Sequence, residues 1–122
     1  MNQILKTMKV RYYIEKHELL TTEISFEAEW NHPFFPRVGE RINASLLIDW
    51  IAPDVMYDAL VEEEKKIWDD SLAEDVKNGI SEEESINDNL YTCLSLVSGF
   101  VSEIVWTKDE VLITLREKEY KR

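Results

Sequence analysis

Residues 23–30 alternate strictly, with Ile24, Phe26, Ala28 and Trp30 on one side and Glu23, Ser25, Glu27 and Glu29 on the other. A period of two sends successive side chains to opposite faces of a pleated strand, so this segment folds with one face buried and the other in water. The same pattern occurs once before it. Met8, Val10, Tyr12 and Ile14 oppose Lys9, Arg11, Tyr13 and Glu15, and the polar break Lys16-His17-Glu18 lets the two strands pair as a hairpin. An isolated hairpin is marginal in water, so the rest of the chain has to cover its apolar face.

Pro33 and Pro36 exclude a central strand between them and favour an extended loop, Asn31-His32-Pro33-Phe34-Phe35-Pro36-Arg37. Val38-Gly39-Glu40-Arg41-Ile42 follows, a short third strand bent at Gly39. Residues 44–51 fit two readings: Leu46, Ile48 and Trp50 as a strand, or Leu46, Leu47, Trp50 and Ile51 as a helix. Pro53 suits a first helical turn, with Asp54 and Asp58 near the positive end of its dipole. Tyr57, Leu60, Val61, Ile67, Trp68 and Leu72 then recur as a helical stripe. Ser71-Leu72-Ala73-Glu74 and Ser81-Glu82-Glu83-Glu84 have the form of capping boxes, and Lys77-Asn78-Gly79 is a stop signal. Ile86, Leu90, Cys93, Leu94 and Val97 continue at helical spacing, with Gly99 as a stop, although Thr92, Ser95, Val97 and Ser98 are poor helix formers and leave open a strand starting near Leu94. Phe100 to Trp106 and Val111 to Arg116 read as strands about a Lys108-Asp109-Glu110 turn. Apolar residues on both of their faces place this second hairpin more centrally than the first.

The expected fold class is therefore α+β, in a single domain over residues 1–122. Its strands lie within 8–51 and 100–119, and an acidic helical insert of about 53–98 falls between strands 3 and 4. Five antiparallel strands with a glycine bend form a small half-open barrel or curled sheet with the helices on one side or end.

The net charge of −11 is unevenly spread. From Asp54 to Asp88 there are 13 carboxylates and 3 lysines, leaving the remainder close to neutral. This field repels nucleic-acid phosphates, so nucleic acid is disfavoured as a partner. With Cys93 as the lone cysteine no internal disulfide forms, which fits a reducing, cytoplasmic setting. The first residues lack the apolar core of a signal peptide and no apolar run approaches membrane-spanning length, so no membrane association is expected. Met8 is a possible alternative start.

No motif for catalysis stands out. His17, His32 and Cys93 lack the spacing of a metal site, and Ser85-Ile86-Asn87-Asp88-Asn89 lacks the glycine and closing glutamate of a calcium loop. Three glycines, Gly39, Gly79 and Gly99, make no phosphate-binding loop, and Cys93 has no activating neighbour in sequence. No catalytic residue, metal or cofactor is assigned on these grounds. Two segments qualify as binding candidates. Adjacent Phe34 and Phe35 cannot both turn into one core from an extended loop; the one left outside, beside Arg37, makes an aromatic-plus-arginine anchor of the kind enriched at interfaces. Otherwise the loop plugs the open end of the barrel. The acidic run Glu62, Glu63 and Glu64 is the second candidate, with Glu64 falling inside the apolar stripe as a buried acid or as a partner of Arg41 or another base.

Phe35-Pro36-Arg37-Val38-Gly39-Glu40-Arg41-Ile42 and Val101-Ser102-Glu103-Ile104-Val105-Trp106 resemble segments of a loose group of small uncharacterised proteins from gut bacteria. The resemblance covers the strands but not residues 53–99. It implies an SH3-like or similar barrel and no known activity. The leading functional expectation is a non-enzymatic module that meets a protein partner through the 34–37 loop or the acidic segment. The alternatives are a small hydrolase-like enzyme using a carboxylate such as Glu64, and a nucleic-acid-related role by barrel binding or acidic mimicry.

Overall fold

The computed structural model of the protein describes residues 8–117. Residues 118–119 of the expected last strand and the segment before Met8 lie outside it. The alternating segments form β1 (Met8–Ile14) and β2 (Ile24–Trp30), paired antiparallel from Met8 opposite Trp30 to Ile14 opposite Ile24. In this register Val10, Tyr12, Ile14, Ile24, Phe26 and Ala28 share one face, and all six are buried.

The helical insert comprises α1 (Pro53–Ala59), α2 (Glu62–Lys77) and α3 (Glu82–Val97). The stripe read as one helix from Pro53 is broken at Leu60, whose backbone is extended at ψ 150°. Leu60 bridges Leu20 in the β1–β2 connection, Val61 N–H donates to Leu19 O at 3.1 Å, and Thr21 N–H donates to Ala59 O at 2.6 Å. These tertiary bonds satisfy the helix ends and fix the break. Trp68 is buried, whereas Ile67, counted in the same stripe, is 59% exposed. Ser71 lies inside α2 and caps nothing. Ser81 does cap α3, its hydroxyl accepting from Glu84 N–H at 3.1 Å, and Gly79 takes the positive φ of 90° that ends α2. Helix α3 runs on to Val97, so the strand reading from Leu94 does not hold; Ser98 Oγ closes its end on Leu94 O at 2.6 Å. Residues 44–51 are not a strand either. A 3-10 turn, Ala44–Leu46, opens the stretch and is capped by Asn43 Oδ1, which accepts from Ser45 N–H at 2.8 Å.

β3 (Phe100–Trp106) and β4 (Val111–Arg116) pair antiparallel, with a bulge between Val101 and Glu103. β4 then lies parallel to β1, Val10 opposite Val111 through Ile14 opposite Leu115. Among the described residues the sheet has four strands in the order β2-β1-β4-β3, mixed and open. This corrects the expected five-stranded antiparallel barrel, and with it the SH3-like form that the resemblance implies. A parallel pair needs a long crossover, and the helical insert supplies it by carrying the chain from the β2 edge across one face to the β3 edge. The other face carries Arg11 with Glu27 and Glu110, and Arg116 with Glu15. The apolar face is already covered by Met56, Leu90, Leu94 and Val97 of the helical layer, so the sheet does not have to close on itself to bury it. The C-terminal hairpin is also not the more central one, since each hairpin supplies one inner strand, β1 or β4, and one edge.

The expected third strand, residues 38–42, tracks the edge of β3 without becoming a strand. Gly39 N–H donates to Val101 O at 2.8 Å, Val101 N–H to Glu40 O at 2.9 Å, and Ile42 N–H to Gly99 O at 2.8 Å, but among the described residues the segment makes a single bridge, Arg41 with Phe100. Pro36 has no N–H to give, and Gly39 at φ 94° sits in a turn closed by Glu40 N–H to Arg37 O at 3.0 Å. One contiguous core joins the inner sheet face to Leu47, Ile51, Met56, Leu60, Leu90, Leu94 and Val97.

Candidate functional site

The chain leaves β2 at Trp30 and crosses the end of the sheet towards β3. Trp30 Nε1–H donates to Phe34 O at 3.0 Å, which folds the loop back on the strand that precedes it. The Trp30 ring meets His32 edge-on at 5.1 Å and Phe35 at 5.4 Å, and Phe35 meets Trp106 at 5.0 Å. Trp30 and Trp106 end strands on opposite edges of the sheet, so Phe35 spans between them and closes that end of the core. Aromatic contacts of this kind add to simple area burial and hold the loop in one conformation.

With Phe35 turned inward, Phe34 turns out and is 83% exposed. Pro36 is buried behind it. The Arg37 side chain is 84% exposed; its backbone N–H donates to Glu40 Oε1 at 2.7 Å, and its guanidinium lies 3.8 Å from Glu40 Oε2. Next along the chain, the Arg41 guanidinium rests over the Phe100 ring, 5.9 Å from its centroid. Trp30, Phe34, Phe35 and Pro36 face Ile42 and Leu46 across a groove of about 680 Å³, and Arg37, Glu40 and Arg41 supply its charges. The size is that of a ligand-binding cleft, and its lining is apolar with a few convergent polar groups.

Glu62, Glu63 and Glu64 form the first turn of α2, where the helix dipole favours carboxylates. Glu62 and Glu63 are exposed and Glu64 is half-buried. Lys65 lies 3.9 Å from Glu62 and over the Tyr57 ring, whose hydroxyl donates to Asp69 Oδ2 at 3.0 Å. Glu64 lies close enough to Cys93 for its charge to act on the thiol. Burial first, and that charge second, push the thiol up to about 11, so Cys93 is protonated and unreactive at neutral pH. Glu64 does not pair with Arg41, which has no ion pair to any described carboxylate.

The two candidate groups are not one surface. α2 begins beside the Leu20–Leu60 bridge, before the start of β2, whereas Phe34 follows its end; a strand of that length spans roughly 20 Å. The groove also uses residues that sequence reasoning did not single out, namely Trp30, Ile42, Leu46 and, through Phe35, Trp106. The signal available for two of them was a tryptophan at the end of each edge strand. That both ends fall on the same side of the sheet follows only from the parallel β1–β4 pairing.

Among the described residues no three His, Cys, Asp or Glu side chains converge as metal ligands, and no helix is long and apolar enough to cross a membrane. Compared with known proteins, the chain matches no family model, no curated protein and no solved structure at a significant level.

Proposed function

We propose that this is a non-enzymatic protein-interaction module, working in the cytoplasm, whose contact surface is the groove between the 34–37 loop and the Ile42–Leu46 segment. The observation that carries the reading is Phe34, a large aromatic side chain 83% exposed on a loop held by two tryptophan rings and by the hydrogen bond from the Trp30 indole N–H to the Phe34 carbonyl. An exposed aromatic on a mobile loop loses conformational freedom on binding, and one already ordered does not. Arg37 beside it adds the second residue type enriched at binding hot spots. The thiol of Cys93, reduced and unpaired, suits the compartment.

The test is affinity capture of the tagged protein from native extract after nuclease treatment, run in parallel with two variants. Phe34→Ala with Arg37→Ala is expected to lose the stoichiometric partner that wild type retains. Glu62, Glu63 and Glu64 changed together to Lys is expected to keep it, because those side chains lie at the far end of β2. Loss of the partner on the lysine variant alone would move the interface to the acidic helix.

A further inference from the structure

We infer that the occupant of the groove is a peptide segment carrying an acidic side chain next to an apolar one; this deepens the reading of the groove as an interface and rests on it. The chain has 25 acidic residues against 14 lysines and arginines, so a cation in it has carboxylates to spare. Arg11 pairs with Glu27 and Glu110, Arg37 with Glu40, and Arg116 with Glu15. Arg41 alone of the described arginines pairs with no described carboxylate, and it lines the groove.

Its position is prepared. On either side its backbone is tied to the sheet edge, by Val101 N–H to Glu40 O and by Ile42 N–H to Gly99 O, and its guanidinium carbon lies over the Phe100 ring at 5.9 Å from the centroid. A cation–π contact takes up none of the five N–H donors, which stay available for a carboxylate. Glu40, the one acid of the groove, is already used, since its Oε1 accepts the Arg37 N–H. The groove is therefore locally positive in a molecule that is negative overall. A basic or neutral segment seated against Phe34, Ile42 and Leu46 would leave Arg41 desolvated with no partner. An acidic one gives it a charge-assisted hydrogen bond.

The experiment selects a random-peptide phage library on the tagged full chain, then measures fluorescein-labelled copies of the enriched peptides by anisotropy against wild type, Arg41→Gln, Arg41→Lys and Phe34→Ala. Thermal melts check that each variant is folded. The expected result is a consensus with Asp or Glu beside an aliphatic or aromatic residue, affinity that falls with added salt, and a loss of about tenfold on Arg41→Gln that Arg41→Lys partly restores. Peptides that lose binding on Phe34→Ala but lack an acid, or that ignore Arg41→Gln, would overturn the acidic occupant while leaving the groove as an interface. Peptides indifferent to Phe34→Ala, or no enrichment over an unrelated control protein, would overturn both.

Discussion

Tyr12 sits in the middle of β1 with its ring tilted against Phe26 at 5.3 Å, and burial pushes its hydroxyl up to about 12. In the unfolded chain the same group ionises near 10, so between those values the unfolded state has lost a proton that the folded state keeps. The stability tied to Tyr12 is complete below pH 10 and is lost as the pH rises towards 12, by roughly 2–3 kcal/mol for a difference of that size. Urea unfolding across that window is expected to show the fall, and Tyr12→Phe, which keeps the ring contact, is expected to flatten it. An unchanged slope in the variant would assign the alkaline transition to another group. At the same scale, part of the binding loop was legible in the sequence. Adjacent phenylalanines had to divide between core and solvent, and the structure divides them, with Phe35 inward and Phe34 outward. Which of the two turned in was not legible, because that depends on Trp106, a residue 71 positions further along the chain than Phe35.

The helices show where local chemistry decides an element and where tertiary bonds override it. Ser81 and Gly79 carry their signals in the sequence, one as an acceptor for an orphan N–H and the other as a residue free to take a positive φ. Ser81→Ala removes that acceptor and is expected to cost about 1 kcal/mol in urea unfolding, with the slope against denaturant unchanged. A change in that slope would mean that α3 frays as a unit rather than losing one bond. Ser71 carries the same four-residue pattern as Ser81 and caps nothing, because no extended residue interrupts α2 there. The break comes at Leu60 instead, where the chain bonds to the β1–β2 connection, and no property of residues 53–72 taken alone announces it. The 38–42 segment is the converse case. Its composition suits a strand and it lies where a fifth strand would lie, but Pro36 and the turn at Gly39 leave it one bridge short of a ladder.

At the level of the whole molecule, charge and topology pull apart. Residues 54–88, with 13 carboxylates and 3 lysines, span α1, α2 and the first part of α3, and the ion pairs found there among the described residues are Lys65 with Glu62 and Lys66 with Asp70. Repulsion within that layer opposes the compact state and is screened by salt, whereas the exposed pairs that salt also weakens contribute little. Raising sodium chloride from low to above-physiological concentration is therefore expected to lift the melting temperature by about 2–5 °C. A fall would show that the attractive pairs of the open sheet face outweigh the helical repulsion. The composition made this layer legible as an acidic insert. The strand pattern made the two hairpins legible, but it said nothing of how one hairpin would meet the other. That meeting is the parallel contact of β1 with β4, the first and last strands described. During synthesis on the ribosome β1 can find β2 within a few residues, but its other flank waits until residues 111–116 have been made. The helices emerge before the floor they pack on is complete, and folding has to follow translation of β4 rather than accompany it.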